Sequence, residues 1–221
     1  MKSIRAVLFD LDGTLVDTAP DLLGVINQLR KEHHLSPLDL ASFRAIVSFG
    51  SKKMIKQAFA MDEDHPKFDY LRQRFFNLYQ QHLADATQLF PTMDQVLTFL
   101  EENNIPWGIV TNKLTRHTTA LLKALRLDHR PSCVVCGDSL PKYKPDPEPI
   151  LHACKLIKHP PNSCVYMGDS QTDVIASKAA GTTTLVALYG YLSQEDNPLA
   201  WQADGYINAP LEILDWLKNK G

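Results

Sequence analysis

Five short apolar runs rich in β-branched residues, at 4–9, 107–110, 133–136, 164–167 and 183–188, restrict what this chain can fold into. None alternates strictly between apolar and polar residues, so each reads as a strand buried on both faces. Between them the apolar residues recur at helical spacing: Met93, Val96, Leu97 and Leu100, then Ala120, Leu121, Ala124 and Leu125, then Ile150, Leu151, Cys154 and Ile157. Buried strands alternating with amphipathic helices predict an α/β fold with a doubly wound, Rossmann-like parallel sheet.

The rhythm breaks once. About a hundred residues separate the first strand from the second, whereas the later strands follow at the interval of a strand–helix–strand unit. Residues 17–85 contain no convincing strand but carry helical patterns at 22–29, 38–47, 54–59 and 68–83. They are expected to form a small helical subdomain inserted after the first strand, leaving 1–16 and 86–221 as the core. Ser36-Pro37-Leu38-Asp39 predicts a helix start, with a capping hydroxyl, proline at the first helical position and an acid in the first turn.

Lys and Arg total 23 against 25 Asp and Glu, with no basic block, which disfavours a nucleic-acid partner. No apolar run approaches the roughly 20 residues that span a membrane, and Asp10 interrupts the N-terminus where a secretion signal would still be apolar. A cytoplasmic protein is expected. Cys133, Cys136, Cys154 and Cys164 then read as reduced thiols. The Cys133-x-x-Cys136 pair sits on a strand, where residues three apart point to opposite faces, so packing roles are expected instead of a shared metal.

The strongest chemical signal is Asp10-Leu11-Asp12-Gly13-Thr14, which places two carboxylates at the end of the first strand, the edge where open α/β sheets bind ligands. A calcium loop does not fit, because its sixth position wants glycine and its twelfth glutamate, and the chain has Leu15 and Asp21. Thr111-Asn112, Lys144-Pro145-Asp146 and Gly168-Asp169 through Asp173 follow later strands on the same edge. Taken singly, each could be a helix cap, a surface charge or a turn. Together they favour one site. Asp10, Asp12, Asp169 and Asp173 would gather four negative charges, and one close pair costs about 4 kcal/mol at roughly 4 Å and an effective dielectric near 20. A divalent cation together with Lys144 offsets that repulsion, and hard carboxylate oxygens select Mg2+.

In these four motifs and their order the chain resembles the haloacid dehalogenase superfamily, over nearly its whole length. The resemblance implies Asp10 as nucleophile and Asp12 as general acid and base. It implies Thr111, Asn112 and Lys144 as phosphate binders, with Lys144 preferred to nearby Lys142 because it directly precedes the proline. Asp10, Asp12 and Asp169 would hold Mg2+, with Asp173 a further ligand or a supporting group. Retention of Asp12 resembles phosphatases and phosphomutases, and the inserted helices resemble the cap of the phosphoglycolate phosphatase branch. The segment Tyr189-Gly190-Tyr191 with Glu195-Asp196-Asn197-Pro198, Trp201 and Asp204 also resembles phosphatases of N-acetylmuramic acid 6-phosphate.

The expected activity is hydrolysis of a small carboxylated phosphate ester, 2-phosphoglycolate or N-acetylmuramic acid 6-phosphate, through an aspartyl phosphate. That ester is the only partner expected, and a monomer is compatible with the sequence. A sugar phosphomutase would share every motif. A receiver-like signalling domain would also use magnesium and a phosphorylated aspartate, but the helical insertion and Asp12 suit hydrolysis better. A dinucleotide enzyme lacks its Gly-x-Gly-x-x-Gly. The turn from Ser48 to Lys53, broken at Gly50, is the candidate for reading the substrate. Lys52, Lys53 and Arg44 are its candidate cations for a carboxylate, Lys52 first.

Overall fold

The computed structural model describes residues 4–220. The first strand, β1 (Ala6–Phe9), leads into a two-stranded antiparallel ribbon, β2 (Val16–Asp17) with β3 (Gln88–Leu89). Between the ribbon strands run α1 (Ala19–Glu32), α2 (Leu40–Val47), α3 (Gly50–Phe59) and α4 (Phe68–Gln81). The remainder alternates: α5 (Met93–Glu102), β4 (Trp107–Val110), α6 (Thr115–Ala124), β5 (Cys133–Val135), α7 (Glu148–Leu156), β6 (Cys164–Gly168), α8 (Gln171–Ala180), β7 (Thr183–Ala187), β8 (Gly205–Ile207) and α9 (Glu212–Lys220).

Among the described residues the main sheet has six parallel strands in the order β5-β4-β1-β6-β7-β8. From β1 the chain first builds outward through β4 and β5, then returns to the other side of β1 with β6. The reversal opens a crevice beyond the carboxyl ends of β1 and β6. All four residues of β1 are fully buried, and they alternate. Val7 and Phe9 pack with α5 and the insertion helices, while Ala6 and Leu8 face a second core containing Ile150, Cys154 and Tyr166. Covering both faces is what makes such strands uniformly apolar.

Three local expectations need correction. First, α2 starts at Leu40, capped by Asp39, whose carboxylate accepts from the Ser42 amide at 3.0 Å. Ser36 does not cap it, because Asn27 on α1 grips the Leu38 backbone from both sides, at 2.8 and 3.0 Å, and keeps residue 38 outside the helix. Second, the buried face of α6 is His117, Thr118, Leu121 and Leu122, one step back from the face expected at Ala120 and Ala124. His117 on this face is covered by the insertion, stacked on Phe76 and touching the Gln80 side chain at 3.1 Å. Third, Leu151 is 41% exposed, and Ala153 takes the buried position expected of it on α7. All four cysteines are free and buried, and burial pushes the Cys133 thiol up to about 11, as befits a packing residue.

Candidate active site

The strand ends deliver their side chains to one place. Asp10 follows β1, with its amide held by the Met167 carbonyl of β6 at 2.8 Å. Thr111 follows β4 and is tied to β5 through the Val135 carbonyl at 2.9 Å. Asp169 follows β6, and Asp173 sits in the first turn of α8, where Ser170 and Asp173 form a reciprocal capping box. The turn after Asp12 needs Gly13, whose φ of +86° suits glycine and whose missing side chain leaves room for Asp169 Oδ2, which a Cβ would meet at 2.1 Å.

Lys144 is the centre of charge. Its ammonium is buried and shares its three N–H donors among four acceptors: Asp10 Oδ1 and Asp173 Oδ1, each at 2.7 Å, the Tyr166 hydroxyl at 2.9 Å and the Val110 carbonyl at 3.0 Å. Burial works against this ammonium, but the two carboxylates beside it outweigh that and hold its pKa above the ordinary lysine range. Asn112 fixes the Lys144 backbone from both sides, its amide nitrogen donating to the carbonyl at 2.9 Å and its oxygen accepting from the amide at 3.0 Å. Both polar atoms of Asn112 are thereby used in positioning Lys144. Exposed Lys142 instead pairs with half-buried Asp146.

Burial raises the Asp10 carboxyl to about 7 against the pull of Lys144, with Asp173 and Asp12 pushing the same way as burial. Asp169 is also raised, by burial and then by Asp10 and Asp173. Its Oδ2 accepts from the Tyr191 amide at 2.8 Å and from the Ser48 hydroxyl at 3.1 Å, whereas its buried Oδ1 has no protein partner. Carboxylate oxygens of Asp10, Asp169 and Asp173 lie within 4.8 Å of one another. An orphaned acceptor in an acid cluster, where Asp10 and Asp169 resist ionisation while Lys144 holds Asp173 below the usual carboxylate range, fits a divalent cation with oxygen ligands. Asp173 is already satisfied: Oδ1 accepts from Lys144 and Tyr166, and Oδ2 from the Ser170 amide and hydroxyl.

Sequence reasoning passes over Lys113. Its buried ammonium spans both oxygens of Asp12, at 2.9 and 3.2 Å, beneath the Tyr79 ring of α4, and the Thr18 hydroxyl donates to the same carboxylate at 2.6 Å. A lysine beside a strand-end pair carries no signal in one sequence that separates it from a surface charge.

Above these groups lies a cavity of about 370 Å³ whose wall includes Asp10, Asp12, Thr111 and Lys144 from the core, and Ser48, Gly50, Lys52, Arg72 and Phe76 from the insertion. The turn at Gly50, with φ of +79°, does bring residues 48–52 to the cavity. Two expected cations are turned away from it. Arg44 pairs with Asp17 at 2.5 Å and lies over the Tyr191 ring, and Lys53 lies over the Phe49 ring. Lys52 lines the cavity but is bound to Glu63 at 2.5 Å, with its side chain half exposed. Among the described residues no helix is long and apolar enough to cross a membrane.

A family model described as haloacid dehalogenase-like hydrolase matches residues 7–187. An N-acetylmuramic acid 6-phosphate phosphatase from Pseudomonas putida is 40% identical over 210 residues, covering 95% of this chain and 94% of its own. A phosphoglycolate phosphatase from Xanthomonas campestris pv. campestris is 39% identical over 215 residues, 97% of each chain. Among solved structures, one described as a predicted phosphoglycolate phosphatase from Haemophilus somnus has a TM-score of 0.86 at 28% identity, covering 98% of this chain and 99% of its own.

Proposed function

Because the chain belongs to the haloacid dehalogenase-like hydrolases, we propose that it is a Mg2+-dependent phosphomonoesterase acting on a carboxylated sugar phosphate of the N-acetylmuramic acid 6-phosphate type. The observation that carries the substrate reading is the volume of the cavity over Asp10 and Asp12, about 370 Å³. At about 30 Å³ per water, it holds on the order of a dozen waters. Phosphoglycolate would fill a minor part of that space. A six-membered pyranose ring with N-acetyl and lactyl arms fills most of it, and Phe75, Phe76 and Tyr79 give part of the wall an apolar lining.

In this mechanism a carboxylate oxygen of Asp10 attacks phosphorus and forms an aspartyl phosphate. The protonated Asp12 gives its proton to the departing sugar oxygen and then, as a carboxylate, takes one from the water that cleaves the intermediate. Lys113 and Thr18 hold Asp12 in a fixed orientation, so the acid and base steps use the same oxygens in the same place. Lys144 keeps a positive charge beside Asp10, while Asn112 sets the Lys144 backbone. Asp10 and Asp169 would ligate Mg2+ directly, with the Asp12 segment beside them, and Asp173 would hold Lys144 and the start of α8. The cation, when bound, would neutralise charge on the phosphoryl oxygens. Residues 17–85 act as a cap that closes over the bound ester and excludes bulk water. The four buried thiols fit a reducing compartment, and we assign the enzyme to the cytoplasm.

Phosphate release from a panel of esters tests this reading. With Mg2+, N-acetylmuramic acid 6-phosphate should be hydrolysed with a kcat/KM at least tenfold above that for 2-phosphoglycolate, and excess chelator should abolish both activities. A preference for phosphoglycolate would overturn the substrate, and full activity in chelator would overturn the metal. Asp12→Asn gives a separate prediction, because an amide cannot deliver the proton. Single-turnover alcohol release from an alkyl phosphate should fall about 10²- to 10⁴-fold. Release of p-nitrophenolate, which departs without a proton, should fall at least tenfold less. Equal losses on the two esters would remove Asp12 from the acid role.

A further inference from the structure

Four cations and one histidine line the cavity, and all but one already have a counter-ion or carry no charge at neutral pH. Lys144 faces Asp10 and Asp173, Lys113 faces Asp12, and Lys52 faces Glu63. Burial, reinforced by Arg116 and Lys113, pushes His117 down to about 4, which leaves it neutral at pH 7. Arg72 on α4 is the exception. It has no acidic partner among the described residues, and its Nε donates to the Ser51 hydroxyl at 3.1 Å while its guanidinium lies over the Phe76 ring at 5.2 Å. These contacts orient the guanidinium without neutralising it.

We infer that Arg72 is the carboxylate receptor of the cavity and that it selects esters carrying an acid arm. A guanidinium already aimed by one hydrogen bond and a ring face loses little freedom on binding, and its remaining donors match the two oxygens of a carboxylate. This inference rests on the carboxylated-sugar reading above, and it moves the selecting charge from the Gly50 turn, where Lys52 is occupied, to the face of α4.

Turnover tests the functional reading and binding tests Arg72, so the two can fail independently. Sugar-observed NMR titrations of the Mg2+-loaded enzyme would compare N-acetylmuramic acid with N-acetylglucosamine, which differ by the lactyl acid. Wild type should bind the acid at least tenfold tighter. In Arg72→Ala that ratio should fall about tenfold or more, and Arg72→Lys, which keeps the charge but loses the fork, should recover part of it. Thermal melting separates these losses from unfolding, and a matching fall in the kcat/KM ratio of the two 6-phosphates, expressed in KM, would agree. Equal affinity of wild type for the two sugars, or a ratio that survives Arg72→Ala within twofold, would overturn the inference.

Discussion

Asp10→Asn should reduce phosphate release at least a thousandfold while leaving the protein folded. The amide nearly keeps the carboxylate's shape, and its oxygen can still accept from Lys144, but it is too weak a nucleophile to form an acyl phosphate. Folding should even gain slightly, since one of the clustered acids is neutralised where Asp10, Asp169 and Asp173 crowd together. The check is a progress curve for inorganic phosphate beside a thermal melt. Release above a few per cent of wild type would remove Asp10 from the nucleophile's role.

Lys144→Ala should strongly destabilise the fold. It deletes the ammonium shared by Asp10 and Asp173, and it removes the donor that the Val110 carbonyl and the Tyr166 hydroxyl accept from. Breaking a buried ion pair from one side typically costs about 3–5 kcal/mol, because the other charge stays behind without a partner. For a chain of this length that corresponds to a fall in Tm of roughly 6–20 °C. The loss should shrink as pH falls. In wild type burial pushes the Asp10 carboxyl up to about 7. Without Lys144 the Asp10 pKa should rise further, so protonation relieves the uncompensated charge over a wider range. The destabilisation should therefore be largest above pH 7 and smaller near pH 5. A destabilisation that did not vary across this range would mean that lost packing, and not charge, accounts for it.

How much is legible in the sequence follows from which forces act locally. The strands β1, β4 and β6 are readable because burial on both faces makes them almost wholly apolar, β7 because its β-branched threonines lead into buried Leu185, Val186 and Ala187, and the site acids because strand ends share one edge. The edge strand β8 escapes notice, since Gly205-Tyr206-Ile207 is three residues long and only its last residue is buried. The start of α2 is misread because a distant side chain, Asn27, decides where Leu38 goes. The face of α6 is misread because His117 is buried by contact with the insertion, which no periodicity of apolar residues records. Cations are the least legible. Whether Lys52 or Arg72 is free to meet a ligand depends on Glu63 and Ser51, whose positions are set by the packing of α3 against α4.

The reaction itself can be caught at Asp10. Steady-state enzyme with Mg2+ and N-acetylmuramic acid 6-phosphate is quenched and reduced with tritiated borohydride, which converts an aspartyl phosphate to labelled homoserine. Peptide mapping then locates the label. The predicted result is tritium in the peptide at position 10, dependent on substrate and lost in Asp10→Asn. Continued turnover with no label, or with label on a different peptide, would contradict a phosphoryl transfer through Asp10.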